Sequence, residues 1–232
     1  MRPGEKPEIA KLPLFREMQD EQRERILKGS FLQVFPPQLT LFELGQHPDF
    51  LHVLIDGLVE LSSTSAGRDT TMRIVEPVTS FILAAVITDM PYLMSARTLS
   101  ASRILLVPAA LVREVVKQDN ALMQATMREL AMAYRDLVRA LTDMKLRQSA
   151  ERLGNLVLQW ERRQGGKGIV HLRAEKRLVA SLLGMTPENL SRAFGVLSRH
   201  GLEMEGALIR IADSAALKAF ARPDPVSDDE PA

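Results

Sequence analysis

Apolar positions along the chain follow two different periods, and the change between them divides it. Over residues 31–107 they fall in short β-prone runs at 39–42, 51–55, 58–61, 71–75 and 103–107, punctuated by Gly45, Asp56-Gly57, Gly67 and Pro77. Many short strands at near-regular spacing predict an antiparallel sandwich or barrel. Ahead of them, Leu12-Pro13-Leu14-Phe15 leads into a charged, helix-favouring stretch that ends near Gly29. After them, Pro108 opens a helical piece over 109–117.

The period then lengthens. Met123, Met127, Leu130, Tyr134, Leu137, Leu141 and Met144 are spaced 4, 3, 4, 3, 4, 3, with Arg128, Glu129, Arg135, Asp136 and Arg139 on the flanks. An a/d stripe this narrow suits a helix paired with its own symmetry mate, so these seven positions form the expected dimer interface. A long helix packed on its own domain is the plainer alternative. Further on, the pattern predicts a helix over 149–163, a Gly165-Gly166-Lys167-Gly168 turn, a short strand at 170–172 and helices over 173–183 and 187–200. Strands at 202–204 and 208–211, joined by Glu205-Gly206, make a small wing. The end of the chain is acidic and Pro-containing, and reads as a disordered tail. The resulting division is 12–120, 121–146, 147–220 and a tail, 221–232.

The helix pair around Gly184 carries the chemistry. Leu178, Val179, Leu182 and Leu183 make one apolar face, and Gly184 stands where a tight inter-helix turn needs positive φ. Thr186 suits an N-cap and Pro187 the first helical position. Leu190, Ala193, Phe194 and Leu197 form the buried face of the second helix, leaving Glu188, Asn189, Ser191, Arg192 and Arg199 outward. Polar side chains at the N-terminal end of such a helix reach base edges in the major groove. Arg192 offers the donor pair for guanine O6 and N7, and Glu188 accepts from a cytosine amino group. Arg173, Lys176, Arg177, Thr186, Arg199 and Arg210 are the expected phosphate contacts, which position without specifying sequence. An αα-corner with solvated charges is the competing reading of the pair taken alone.

Charge sharpens this picture. Residues 146–222 hold 13 Lys/Arg against 7 Asp/Glu, whereas Asp224, Asp228, Asp229 and Glu230 close the chain. A basic C-terminal third suits a DNA-binding module joined to something else. The chain has no Cys, which removes disulfides, thiolate nucleophiles and cysteine-held iron–sulfur clusters. It has no apolar run long enough for a membrane span and no secretory leader, so the expected location is the cytoplasm. No Ser/His/Asp order, metal-ligand spacing or phosphate loop suggests an enzyme.

Taken in order, these features resemble the CRP/FNR family. The landmarks are Leu12-Pro13-Leu14-Phe15, Leu41-Phe42 with Gly45, the run Leu51-His52-Val53-Leu54-Ile55-Asp56-Gly57, Glu151-Arg152-Leu153, and Glu188, Ser191 and Arg192 in a Glu-x-x-Ser-Arg pattern. The resemblance implies an α+β chain. An N-terminal antiparallel β-roll of the cyclic-nucleotide-binding type leads through a long dimerisation helix to a C-terminal winged helix-turn-helix. It implies a homodimer on a palindrome with TTG-type half-sites, Glu188 and Arg192 reading the C·G pair and Ser191 a neighbouring thymine, with RNA polymerase as partner. Cyclic-nucleotide members cradle the phosphate with a Gly-Glu-Leu turn and an Arg-Ser pair. Here Ser80-Phe81-Ile82-Leu83-Ala84-Ala85 and the window 92–94 stand there, with Arg97 the one nearby guanidinium. Burying a phosphate against Ile82 and Leu83 is costly, so cAMP is not expected. Lacking both that cradle and cysteines, the chain is closest in character to the DNR/NNR-type nitrogen-oxide regulators of denitrification. That resemblance leaves haem as the cofactor to consider, with His47 and His52 as candidate ligands beside His171 and His200. A regulator controlled by its abundance, without a ligand, is the other reading, and a small-molecule-binding module acting on a protein partner is a third. As a mechanism, a signal in the roll would shift the long helix, and a hinge near residues 142–145 would reposition the two recognition helices.

Overall fold

A computed structural model of the chain describes residues 4–224. Asp228, Asp229 and Glu230 of the expected tail lie outside the described residues. The chain divides into two compact units, Met1–Tyr134 and Arg135–Ala232.

The first unit opens with helices α1 (Lys6–Ala10) and α2 (Asp20–Gly29). Eight strands follow: β1 (Phe31–Phe35), β2 (Thr40–Phe42), β3 (Phe50–Asp56), β4 (Val59–Ser65), β5 (Arg68–Val75), β6 (Thr79–Phe81), β7 (Ser95–Thr98) and β8 (Ser102–Pro108). Helix α3 (Leu83–Thr88) lies between β6 and β7, and α4 (Ala109–Val116) follows β8. The strands form two four-stranded antiparallel sheets, ordered β1-β8-β3-β6 and β2-β7-β4-β5. The expected antiparallel roll is therefore present. The sequence pattern did not mark β1, β6, β7, α1 or α3. β6 and β7 are only three and four residues long, and β1 is an edge strand with Val34 turned to solvent. None of these offers an alternation long enough to stand out.

Register decides what each face meets. Phe31, Leu106, His52 and Phe81 stand opposite one another across the first sheet and look toward the second. There Leu54, Phe81 and Ile104 pack on Phe42, Val59, Leu61 and Val75. The next row, Leu32, Leu105, Val53 and Ser80, looks the other way. On that side Val53, Leu105 and Val107 pack in one cluster with Phe15, Ile26, Val112 and Leu122. Being covered on both faces, β3 is apolar at successive positions rather than alternating. Glu60 is the exception on the second sheet. It stands on the face opposite Val59 and Leu61 and is nonetheless buried. A register shift between Leu61 and Ser62 brings Thr71 onto its side. Glu60 accepts from Thr71 Oγ1 at 2.6 Å and from Arg97 Nη2 at 2.7 Å.

Helix α5 (Asn120–Leu146) runs on from the first unit into the second. Asp119, fully buried just ahead of it, accepts from Leu122 N at 2.8 Å and from Gln19 N at 2.9 Å. One carboxylate thus caps α5 and fixes the start of α2 beside it. Helix α5 continues without a break through residues 142–145, where a hinge was expected. The helix stops only at Leu146, and the following Gln148 is extended ahead of the next helix.

The second unit contains α6 (Ser149–Arg163), β9 (Ile169–His171), α7 (Lys176–Leu182), α8 (Pro187–Leu197), a 3₁₀ turn (Ser198–His200), β10 (Leu202–Glu205), β11 (Leu208–Ile211) and α9 (Ser214–Ala221). The wing is three-stranded, in the order β10-β11-β9. Helix α9 was not expected, and residue 221, assigned to the tail, belongs to it. Asp213 caps it, its Oδ1 accepting from Ala216 N at 2.9 Å, and Leu217 and Ala221 close the core formed by Leu153, Val157, Leu190 and Leu197. Among the described residues no helix is long and apolar enough to cross a membrane.

His52 supplies a test of the roll. Its ring lies 5.2 Å from that of Phe42 and 5.3 Å from that of Phe81, and its Nδ1 has no hydrogen-bond partner. Burial pushes its pKa down to about 4. Unfolded, the ring titrates near 6.5, so between those values the unfolded chain takes up a proton that the folded one refuses. Stability therefore falls as pH falls through that window. From pH 7 to pH 5 the loss expected from this group is about 2 kcal/mol. Urea unfolding at the two pH values checks it, since His52→Leu should lose correspondingly less than the wild type. Equal losses in the two proteins would show that His52 is not the group responsible.

Candidate DNA-reading site

Two turns of backbone define the recognition element. The C-cap of α7, Leu183, is followed by Gly184 at φ +61, a left-handed conformation that glycine adopts without steric cost. Thr186 then caps α8, its hydroxyl accepting from Asn189 N at 3.2 Å, with Pro187 in the first turn. Leu190, Ala193 and Leu197 are buried, so helical geometry puts Glu188, Asn189, Ser191, Arg192 and Arg199 on the exposed side. Ala193 and Phe194 lie on the inward side as expected, though Phe194 is only partly covered.

The exposed row has its own electrostatics. The Glu188 carboxyl is held below the usual carboxylate range, first by its own backbone N–H, next by the Thr186 hydroxyl and also by the Arg192 charge. It is therefore an ionised acceptor at neutral pH, one helical turn from a guanidinium. Thr186, expected on a phosphate, uses its hydroxyl inside the helix start instead. Arg173, Lys176, Arg177, Arg199 and Arg210 are all exposed. Lys176 Nζ lies 6.0 Å from the Phe194 ring centroid, and Arg177 Nε donates to Glu175 at 2.7 Å in an exposed ion pair. His200 leaves the recognition helix in the 3₁₀ turn and stacks on Phe220 at 4.3 Å.

Sequence reasoning missed one part of this surface. An open groove beside α8 is lined by Gln148, Ser149, Arg152, Asn189, Arg192 and Val196. Its far wall is the start of α6, where Gln148 N donates to the Glu151 carboxylate at 2.7 Å. The Gln-Ser-Ala-Glu spacing is a capping signature that could have placed these residues at a helix N-terminus. Amides and guanidinium groups there favour an anion.

In the first unit, the positions where a cyclic nucleotide's phosphate would be cradled are otherwise engaged. Phe81 and Leu83 are buried, Ser80 donates to Glu129, and Tyr92 packs on Phe42 with ring centroids 4.1 Å apart. Ser95 Oγ accepts from Leu44 N at 2.9 Å. Arg97 lies on the face away from the buried Ala96 and donates to Glu60. The candidate haem ligands part company: His47 is exposed in the loop between β2 and β3, whereas His52 is packed between Phe42 and Phe81. These two rings pack directly against the His52 imidazole. Among the described residues no group of three or more His, Asp or Glu is placed to hold a metal.

The helix α5 stripe is exposed at Met123, Met127, Tyr134, Leu137, Leu141 and Met144. Leu130 differs, packing partly buried on the cluster that includes Phe15 and Leu122. The first turns of α5 belong to its own unit, with Leu122 and Thr126 buried, and this pulls Leu130 inward.

Comparison with known proteins agrees with this architecture. Residues 32–119 match the cyclic nucleotide-binding domain family, and residues 151–220 the Crp-like helix-turn-helix domain family. No curated protein sequence matches the chain significantly. Among solved structures, FixK2 from Bradyrhizobium japonicum is similar at 17% identity and TM-score 0.74, covering 82% of this chain and 96% of that one. The structure of a CooA mutant from Carboxydothermus hydrogenoformans is similar at 17% identity and TM-score 0.73, with coverages of 85% and 90%. The c-di-GMP responsive global regulator CLP of Xanthomonas campestris is similar at 14% identity and TM-score 0.70, with coverages of 84% and 100%. At such identities the structures establish the fold, while the two domain matches carry the family. With a cyclic nucleotide-binding-type domain, a long helix and a Crp-like DNA-binding helix-turn-helix in that order, the chain belongs to the CRP/FNR family of transcription regulators.

Proposed function

We propose that the chain binds a palindromic DNA site as a homodimer, reading TTG-type half-sites with Glu188, Ser191 and Arg192, and does so without a cyclic nucleotide or haem in its roll. The observation that carries the DNA reading is the exposed row at the capped start of α8, where an ionised Glu188 and Arg192 stand one turn apart. An acceptor and a two-pronged donor at that spacing suit the cytosine amino group and the O6 and N7 of guanine. Ser191 would face the adjacent thymine. Arg173, Lys176, Arg199 and Arg210, together with the groove at the α6 start, would take the flanking phosphates.

The homodimer rests on α5. Tyr134, Leu137 and Leu141 are 69%, 60% and 51% exposed along one stripe, a run of apolar surface that a single chain leaves in water. Pairing the stripe with its symmetry mate covers it, and a palindrome then needs the two recognition helices about 34 Å apart. In this reading the partners are double-stranded DNA, a second copy of the chain and RNA polymerase.

The nitric-oxide signal implied by the DNR/NNR-type resemblance draws no support from His52, since a porphyrin on it would need the space that the Phe42 and Phe81 rings occupy. Control of denitrification genes likewise has no residue of this chain behind it. The engaged side chains of residues 80–97 favour a roll that works without a small-molecule effector, and that leaves abundance as the control.

Arg192→Ala is expected to lose about 1–3 kcal/mol of discrimination between a TTG-type palindrome and a scrambled duplex. Weak, salt-sensitive binding should remain, because the phosphate contacts survive. Fluorescence anisotropy on both duplexes at one salt concentration checks this, and unchanged discrimination would remove Arg192 from base reading. Separately, Leu137→Glu or Leu141→Glu places a charge in the paired stripe. Each should shift the chain from dimer to monomer in sedimentation equilibrium and abolish palindrome binding. A variant that sediments as a dimer would move the interface elsewhere.

A further inference from the structure

We propose that Ser80 and Glu129 form a built-in latch that ties the β6–α3 segment to α5, a tie that stands in place of a small-molecule effector in the roll. The inference rests on the effector-free reading above. Ser80 is the polar residue at the end of the otherwise apolar row Leu32, Leu105 and Val53, on the face turned toward the helices. Helix α5 meets that face with Leu122 and Thr126 buried and Leu130 partly covered. One turn beyond Ala125, Glu129 comes over the sheet edge, and the Ser80 hydroxyl donates to its carboxylate. The carboxylate is largely buried. Desolvation raises its pKa, while the Ser80 hydrogen bond and the Arg73 charge pull it down.

The segment that follows Ser80 is poised rather than relaxed. Ile82, a β-branched residue, sits at φ 61 as the N-cap of α3, and Asp89 ends that helix at φ 55. Left-handed backbone at such residues persists only where the surroundings over-determine it. Two sets of contacts hold this one. Arg113 of α4 bonds Asp89 at 2.9 Å and Val86 O at 3.1 Å, closing the far end. Ser80–Glu129 closes the near end, and it is the contact that reaches the helix shared by both units. A segment strained at its first cap, Ile82, and bonded to α5 by the Ser80–Glu129 pair is suited to two states, latched and released. An effector that binds between a roll and its helix lowers the energy of one such state, and here the chain's own carboxylate supplies that contact.

Hydrogen–deuterium exchange of the full-length protein tests the latch without relying on DNA. Ser80→Ala and Glu129→Ala should each speed exchange over residues 79–89 and 121–131 by about ten- to a hundredfold, the size expected for one hydrogen bond to a charged group. The double variant should exchange no faster than either single one, because both remove the same bond. Glu129→Gln, whose amide oxygen still accepts from Ser80, should stay close to wild type. Exchange over 151–220 should not change, which shows that the variants are folded. Palindrome affinity should fall in step with the released fraction in Ser80→Ala and Glu129→Ala alone. Unchanged exchange over 79–89, additive effects in the double variant, or added cAMP slowing exchange there in the wild type would each overturn the latch. Failure of the wild type to bind the palindrome would instead strike the DNA-binding reading and leave the exchange result standing.

Discussion

The structure depends on how α5 is held at its start. Asp119 is a fully buried carboxylate, and such a group is tolerable only when donors satisfy it. Its two oxygens accept backbone N–H groups from α5 and from the residue before α2. That arrangement sets the axis of α5 against the helices that cover the first sheet, and Leu122, Thr126 and Glu129 follow in register along one face. Beyond Leu130 the apolar stripe of the same helix is exposed at Tyr134, Leu137, Leu141 and Met144. One element is thus core at one end and exposed at the other, and this contrast is what the proposed pairing with a second copy rests on.

The roll keeps the architecture of a ligand-binding domain while its interior is differently equipped. Positions that would need small residues and a free guanidinium hold Phe81, Ile82 and Leu83, and the nearby Arg97 is turned to the other face and bonded to Glu60. Aromatic rings from both sheets close on His52. Polar contact between roll and helix is made instead by Ser80 and Glu129.

In the second unit the division of labour is clearer. Buried Leu190, Ala193 and Leu197 fix the rotation of α8, the Thr186 cap fixes where it begins, and the readers are whatever remains outside. In the proposed reading, specificity rests on few side chains, while the basic surface around them supplies affinity that depends on salt.

The chain pattern by itself determined most of this. Short β-prone runs between turn residues marked the long strands, a strict heptad marked α5, and Gly184, Thr186 and Pro187 marked the recognition helix, because each rests on local backbone chemistry or a sustained repeat. Short elements were not legible. β6, β7, α1 and α3 carry too few residues for a period, and α9 is capped by an Asp213 that reads like any loop residue. The groove beside α8 needed the start of α6 brought next to Arg192, a contact between distant residues. Three further facts were decided only by tertiary packing: Leu130 turned inward, His52 buried with its Nδ1 unpartnered, and Ser80 under Glu129. In each, the side chain's partner lies far away in sequence, so no local rule could name it.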